Sequence, residues 1–262
     1  MVGDSVAFGW NDAQEFIFAT VLEDMLNALT PGERRFEVCN LSVGGYNAQQ
    51  ELEVIRTKVP QLHPDFLLLQ YCTNDDQIGA DAGLYHHFNK SPLRTWDFVK
   101  LRFETLHEML YPGSMIDTSY REIAGIAQEN HWPFLVLAMP TDTASNSWML
   151  ALLERLHLDY LNPEDTFRTC GNKWIFSDPL HLSSFGHRVV AEELFRYFEN
   201  KLPCVEMARQ GQVAPDFGPV RKAFLTGLNA QDRGDFEEAA QRYRECVSLN
   251  AGYARLAAKQ LT

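Results

Sequence analysis

The pattern of apolar and polar residues predicts strands that alternate with helices along most of this chain. Continuous apolar runs at 65–71 and 133–140 are typical of parallel strands buried on both faces. Alternating positions at 36–41 predict another strand, and a short strand is predicted at 158–161. Apolar residues recur at helical spacing at 12–29, 48–59, 99–110, 119–130, 145–156 and 184–202. We therefore predict an α/β fold in which helices cover both faces of a parallel sheet.

The beginning of the chain places a serine between a strand and a helix. Only Met1 and Val2 precede Gly3-Asp4-Ser5, so the first predicted strand is shorter than a buried central strand usually is. We therefore expect the natural chain to extend upstream of Met1. A turn that opens a helix beside Ser5 would direct backbone N–H groups towards negative charge at the serine oxygen.

Composition and charge argue against several classes of partner. The chain has 262 residues and a formal net charge of −12, and its isoelectric point is near 5.1. This acidic balance argues against nucleic acid or an anionic membrane as the main partner. Apolar runs stay well below the roughly 18 residues of a membrane-spanning helix, so no membrane span is predicted.

The cysteines and histidines predict neither a disulfide framework nor a metal site. The five cysteines are odd in number and show no C-x-x-C spacing. His86 and His87 are adjacent and would point to different sides of a helix or strand, which makes shared metal ligation awkward. We expect no metal and no cofactor. No signal peptide is visible, and together with the odd number of cysteines this favours the cytoplasm.

Four polar motifs lie at the predicted strand ends. They are Gly3-Asp4-Ser5, the segment 40–47, Thr73-Asn74-Asp75 and Asp178-Pro179-Leu180-His181. In this order, and over about residues 1 to 203, they resemble the four blocks of the SGNH hydrolase family, also called GDSL esterases and lipases. The resemblance implies a three-layer α/β/α fold with a parallel, flavodoxin-like sheet, and the activity of a serine esterase.

The resemblance also assigns a catalytic triad. Ser5 would be the nucleophile, and His181 would remove its proton and later return it to the leaving alcohol. Asp178 would orient the imidazole and stabilise its charged form. Asp4 and Asp75 are interpreted as residues that brace their own loops through contacts with the backbone.

Three oxyanion donors are implied as well. They are the backbone N–H of Ser5, the backbone N–H of Gly45 and the side-chain amide of Asn74. Gly45 is assigned rather than Gly44 because it directly precedes Tyr46-Asn47. Cys72 stands where the family usually has glycine, which adds a side chain close to the pocket.

The resemblance leaves the substrate open. We expect a small-molecule acyl ester, with O-acetyl groups on carbohydrates as the first hypothesis. A lysophospholipase, a thioesterase or an acyltransferase of the same family is the alternative among enzymes. A degenerate hydrolase that serves as a protein-binding scaffold is the alternative outside enzymes, and the intact set of motifs argues against it.

The end of the chain differs in composition from the rest. We predict a hydrolase domain at 1–203, a linker at 204–219 and a helical segment at 220–262, in which two short helices at 223–232 and 236–249 form a hairpin. The small and aromatic residues of this all-α hairpin resemble those of a tetratricopeptide repeat: Gly227, Gly234, Phe236, Ala239, Tyr243 and Cys246. One repeat cannot bury its own apolar face. The hairpin is therefore expected to dock on the hydrolase domain, to contact a partner protein, or to begin a longer array.

Overall fold

The computed structural model describes residues 1–30, 35–73, 75, 113–142, 146–208 and 215–261. Asn74, His86, His87 and the predicted helix at 99–110 lie outside these residues. Contacts divide the chain into two compact units. The sheet unit comprises Met1–Phe8 and Asn40–Asn162, and the helical unit comprises Gly9–Cys39 and Pro163–Thr262. The domain boundaries predicted from composition stay a prediction.

The described residues form α-helices along the whole chain and three strands. The strands are β1 Leu67–Tyr71, β2 Phe134–Ala138 and β3 Tyr160–Leu161. The helices are α1 Ser5–Phe8, α2 Phe18–Asn27, α3 Ala48–Thr57, α4 Ser114–Glu129, α5 Ser147–Arg155, α6 Glu164–Cys170, α7 Asn172–Ile175, α8 Ser184–Lys201, α9 Pro203–Ala208, α10 Gly218–Asp232, α11 Phe236–Leu249 and α12 Ala254–Leu261. Short 3-10 helices occupy Gln14–Phe16, Val59–Leu62 and Ala251–Tyr253.

The sheet is parallel, as the apolar runs predict. Its strand order is β1-β2-β3, and both pairs of neighbours are parallel. Every residue of β1 is buried, which is typical of a parallel strand covered on both faces. Ile55 of α3 packs with Ile116 and Tyr120 of α4 in the core that covers this sheet. The predicted α/β fold is therefore confirmed.

The predicted strand at 36–41 is wrong: these residues form no strand, because the pairing of this part of the chain with Met1–Gly3 is too short. Val2 makes a single parallel bridge to Leu69 of β1. Beyond it, the N–H of Leu41 donates to the carbonyl of Met1 at 2.9 Å, and the N–H of Val43 donates to the carbonyl of Gly3 at 3.1 Å. Since α1 begins at Ser5, only the first few residues are extended and able to pair.

The predicted helix at 12–29 is interrupted at Ile17, whose backbone is extended. The interruption has a cause outside the segment: the N–H of Phe18, the first residue of α2, donates to Nδ1 of His187 at 3.3 Å. His187 lies on α8, which packs against α2 within the helical unit. The histidine side chain thus caps α2 and satisfies one of the N–H groups that a helix start leaves unpaired.

The predicted hairpin forms, with α10 and α11 packed against each other. Phe224 of α10 stacks on Phe185 of α8 with ring centroids 5.0 Å apart. Buried charges join the same helices, because Glu192 of α8 accepts from Arg188 at 2.8 Å and from Arg221 of α10 at 2.6 Å. The hairpin is therefore an integral part of the helical unit. Helix α12, which lies in the predicted helical segment at 220–262 but outside the two helices predicted for it, follows the hairpin.

Candidate active site

Ser5 is the first residue of α1 and is 9% exposed. The turn is shaped by Asp4, which is fully buried and whose Oδ1 accepts the N–H of Val6 at 2.9 Å. The Ser5 hydroxyl donates to Oδ2 of the same carboxylate at 3.4 Å. Asp4 therefore braces its own loop, as its position beside the serine predicts.

Gln70 stabilises the serine turn, residues 4–7, through its side chain, and the sequence analysis did not identify it. It is a buried residue of β1, and its Oε1 accepts the N–H of Ala7 at 3.2 Å and the N–H of Asp4 at 3.4 Å. Its amide nitrogen donates to the carbonyl of Tyr71 at 2.7 Å. A polar residue inside an otherwise apolar strand was the signal that could have identified it, since buried polar groups need partners.

Gly45 lies in a tight turn of the sheet unit. The N–H of Tyr46 donates to the carbonyl of Val43 at 3.2 Å, so the two glycines are the central residues of a β-turn. Gly45 has φ +80°, as the third position of a type II turn requires, and this conformation favours glycine. A Cβ atom at Gly45 would meet nothing within 4 Å, so the conformation and not the available space calls for glycine.

The residues around this turn tie it to the serine loop. The side-chain amide of Asn40 donates to the carbonyl of Ala7 at 2.8 Å. Asn47 caps α3 by accepting the N–H of Gln50 at 3.1 Å, while Oε1 of Gln50 accepts the N–H of Asn47 at 3.0 Å. This reciprocal pair is a capping box, which determines where α3 begins.

Asn74 lies outside the described residues, but the residues beside it are placed. The N–H of Asp75 donates to the carbonyl of Cys72 at 3.0 Å, and Oδ2 of Asp75 accepts the N–H of Cys72 at 3.1 Å. The carbonyl of Asp75 in turn accepts the N–H of Ala48 at 3.3 Å. Asp75 thus braces the loop after β1, as predicted.

Asp178 and His181 form a hydrogen-bonded pair in the helical unit. Oδ2 of Asp178 lies 2.8 Å from Nδ1 of His181. The other oxygen, Oδ1, accepts the N–H of His181 at 2.8 Å and the N–H of Leu180 at 2.9 Å. The loop that carries both residues is closed by a bridge between Phe176 and Leu182. Asp178 thus engages Nδ1 of His181 and fixes the orientation of its ring.

The hydrogen bonds of this loop keep Asp178 ionised. Burial acts to raise the pKa of Asp178, but the bonds from the His181 and Leu180 N–H groups and from the His181 ring outweigh it, and the pKa is lowered. A charged carboxylate in this position stabilises an imidazolium.

The pKa of Glu51, a carboxylate of the sheet unit, is shifted in the opposite direction. Glu51 of α3 is fully buried, and neither of its carboxyl oxygens has a hydrogen-bond partner among the described residues. Burial, followed by the charges of Asp75 and Asp4, raises the pKa of Glu51 well above its ordinary value. The neutral form of the side chain is therefore favoured to higher pH in the folded protein than in the unfolded chain.

The structure places the predicted site residues in two groups. Ser5 and Gly45 belong to the sheet unit, where the Val43–Gly3 hydrogen bond joins their segments. Asp178 and His181 belong to the helical unit, where they are paired. Among the described residues, no three His, Cys, Asp or Glu side chains are arranged to hold a metal ion. The described helices include none with the length and apolar character that crossing a membrane would need.

One family of known proteins matches most of this chain. The sequence model of the GDSL-like Lipase/Acylhydrolase family matches residues 1–189. No curated protein sequence that was compared matches the chain.

Solved structures of esterases and lipases share the fold. The lipase/acylhydrolase from Enterococcus faecalis is 13% identical, with a TM-score of 0.52 over 76% of this chain and 95% of that chain. The psychrotrophic esterase EstA from Pseudoalteromonas sp. is 15% identical, with a TM-score of 0.51 over 77% and 96%. The acetyl xylan esterase AlAXEase is 14% identical, with a TM-score of 0.50 over 75% and 98%. At sequence identities this low, the similarity to these structures shows a shared fold and nothing further.

Proposed function

Because the chain belongs to the GDSL-like lipase/acylhydrolase family and is therefore an ester-hydrolysing enzyme, we propose that it hydrolyses small acyl esters through an acyl-enzyme on Ser5. The observation that supports the mechanism is the Asp178–His181 pair, in which Oδ2 of the carboxylate lies 2.8 Å from Nδ1, so the proposed proton transfer is assigned to Nε2. Small-molecule acyl esters are accordingly the substrate class.

In the proposed reaction, Nε2 of His181 takes the Ser5 proton while Oγ attacks the ester carbonyl carbon. The N–H groups of Ser5 and Gly45 and the side-chain amide of Asn74 receive the oxyanion. The bond between the carbonyl carbon and the alcohol oxygen then breaks, and His181 returns the proton to that oxygen. Water repeats the sequence on the acyl-enzyme, which releases the acid and restores Ser5 and His181.

We propose acetyl esters of carbohydrates as the first substrates to test. One of the structures with the same fold is an acetyl xylan esterase, which supports this choice. The chain length of the acyl group is tested with ethyl acetate, butyrate and octanoate. Activity that rises with acyl length, without any activity on an acetylated sugar, would favour the lipid-directed alternative.

Labelling with a fluorophosphonate tests the nucleophile. We expect one adduct on Ser5 of the folded protein, found by mass spectrometry of the peptides. The adduct should be lost in Ser5→Ala and retained in Ser42→Ala, a control at another buried serine of the sheet unit. His181→Ala should slow labelling, because the imidazole removes the proton. The absence of an adduct on Ser5 would contradict the proposal.

The likeness of the α10–α11 hairpin to a tetratricopeptide repeat, and a protein contact through it, also stay proposals. Tyr243 and Cys246 of α11 are buried, and the Tyr243 ring packs on Phe224 with centroids 5.3 Å apart. These are the aromatic and small positions that the repeat pattern places inside. An experimental structure whose hairpin fails to superpose on a tetratricopeptide repeat would contradict the assignment.

A further inference from the structure

Trp10 lies beside His181 although the two residues are far apart in sequence. Both belong to the helical unit, and their ring centroids are 6.2 Å apart with planes tilted by 30°. Trp10 is 49% exposed, and the His181 side chain is 16% exposed. A large aromatic ring thus stands partly in solvent next to the imidazole that the proposed mechanism uses.

The turn that presents Trp10 is built to hold that position. Gly9 has φ +84° and Asn11 has φ +67°, so the left-handed region is occupied on both sides of the tryptophan. A Cβ atom at Gly9 would come within 2.4 Å of the Ile17 side chain, so any other residue there would be strained and would have to displace Ile17. The turn is closed by the N–H of Asp12, which donates to the carbonyl of Gly9 at 3.2 Å.

A contact from the end of the chain braces the same turn. Nζ of Lys259 on α12 donates to Oδ1 of Asp12 at 2.7 Å and to the hydroxyl of Ser184 at 2.5 Å. Ser184 begins α8, three residues after His181. The Trp10 turn and the histidine loop are therefore held by one lysine. Glycine and asparagine are residues that adopt the left-handed region readily, so the sequence on both sides of Trp10 supports this turn.

The role proposed for His181 indicates which part of the ester, the acyl group or the alcohol, lies near Trp10. The acyl group of the ester becomes attached to the nucleophile, and the alcohol group leaves with a proton from the histidine. The alcohol part must therefore lie against Nε2 of His181 at the moment of proton transfer. The Trp10 ring, 6.2 Å from the imidazole centroid, is close enough to contact the alcohol part.

We propose that Trp10 is a specificity-determining residue that stacks on the alcohol part of the ester, and that this part is the pyranose ring of a neutral carbohydrate. The inference rests on the proposed esterase function of Ser5 and His181. A half-exposed indole offers a flat apolar face to the C–H groups of a sugar while the sugar hydroxyls stay in water. A fatty alcohol would need an enclosed apolar surface instead. The net charge of −12 further disfavours anionic headgroups.

The test compares two esters that share the acyl group and differ in the alcohol: methyl 2-O-acetyl-β-D-xylopyranoside and ethyl acetate. In Trp10→Ala, kcat/KM for the sugar ester should fall about five- to tenfold through KM, because stacking is formed in the ground state and kept in the transition state. Activity on ethyl acetate should stay within about twofold of the unchanged enzyme, since ethanol is too small to stack. Trp10→Phe should retain most of the activity on the sugar ester.

Trp148→Ala is the matched control, because Trp148 is 42% exposed and belongs to the sheet unit; both esters should be hydrolysed as before. Equal losses on both esters in Trp10→Ala, or a loss in kcat, would show that Trp10 only positions His181 and would overturn the proposal. No loss on the sugar ester, or no activity of the unchanged enzyme on it, would overturn it too. If the unchanged enzyme hydrolyses neither ester and Ser5 takes no fluorophosphonate, the proposed function itself fails and this inference with it.

Discussion

His187 is a buried residue whose charge state couples stability to pH. Burial, followed by the influence of its neighbours, lowers its pKa from 6.5 to about 4. The groups that face it are Asp12, which acts to raise the pKa, and Lys259 and His181, which lower it. The ring therefore stays neutral near pH 7 and can accept the N–H of Phe18. Protonation would remove that acceptor.

We expect the helical unit to lose stability on acidification because of His187. The unfolded histidine binds a proton below pH 6.5 and the folded one only near pH 4, so unfolding takes up a proton in between. The free energy of unfolding should fall by about 3 kcal/mol from pH 7 to pH 4 through this residue. Urea unfolding at several pH values measures it.

His187→Asn should remove this contribution, because Asn can accept the same N–H and does not titrate. His157→Asn, at an exposed histidine, is the control and should leave the pH dependence unchanged. A pH dependence that His187→Asn does not alter would contradict the expectation.

Glu51 should make the sheet unit less stable as the pH rises. Its raised pKa means that the folded protein keeps a proton which the unfolded chain releases above its ordinary value of 4.5. Stability is therefore lost as the pH increases from there towards the folded pKa. Glu51→Gln has a neutral side chain at every pH. The urea midpoint of the variant, relative to that of the unchanged protein, should therefore increase as the pH is raised from 5 to 8.

Glu53→Gln, on the same helix but not buried, serves as the control for Glu51→Gln. A constant difference between Glu51→Gln and the unchanged protein across this pH range would show that the Glu51 carboxyl is ionised in the folded state.

At the scale of single elements, the serine turn is stabilised by strand β1 through the side chain of Gln70. The apolar run at 65–71 predicts β1, and the alternation of elements predicts that Ser5 follows a strand. The pattern does not show that Met1–Gly3 supplies only a single bridge to β1. Gln70 supplies further hydrogen bonds between β1 and the serine turn, since its side-chain Oε1 accepts the N–H groups of Ala7 and Asp4.

Gln70→Met should therefore loosen α1. It leaves the N–H of Ala7 buried without this acceptor, which costs about 1–3 kcal/mol of the free energy of unfolding. Because Ser5 begins the same four-residue helix, esterase activity should fall by more than the loss of folded protein explains. Chemical denaturation and kcat, measured together, test this. Gln49→Met, at an exposed position of α3, is the control. An unchanged kcat in Gln70→Met would refute the positioning role.

At the scale of the whole molecule, contacts group residues that are distant in the chain. The helical unit unites Gly9–Cys39 with everything from Pro163 onwards, so the C-terminal hairpin and α8 share one unit. Composition places a linker at 204–219, yet α9 occupies Pro203–Ala208. The hairpin is joined to α8 by charges as well as by rings, and these charges are nearly inaccessible to solvent.

We expect the Arg221 side chain to be essential for holding the hairpin. Arg221→Met removes the 2.6 Å bond to Glu192 and the 2.9 Å bond to Glu193, so the free energy of unfolding should fall by about 3 kcal/mol. Arg168→Met is the matched control: Arg168 is 75% exposed, and its ion pair with Asp165 should contribute less than about 1 kcal/mol. Thermal and urea unfolding measure both variants. Equal effects of the two substitutions would contradict the expectation.

Local sequence patterns alone determined much of this protein. The apolar runs predict β1 and β2, and helical spacing predicts α3, α4, α5 and α8. The four motifs imply the family, which the family match confirms. The Asp178–His181 spacing already places a carboxylate and an imidazole in one short loop, where the structure pairs them. Such features are set by periodicity and turn chemistry within a few residues, so they can be read without knowing the packing.

Other features were decided only by the tertiary structure. The start of α2 depends on His187, the serine turn on Gln70, and the place of Trp10 beside His181 on a turn braced by Lys259. In each case the partner is more than 60 residues away in sequence. The lowered pKa of His187 and the raised pKa of Glu51 likewise follow mainly from desolvation, which exists only in the folded chain. No local pattern carries that information, because contacts and burial are properties of the packed structure.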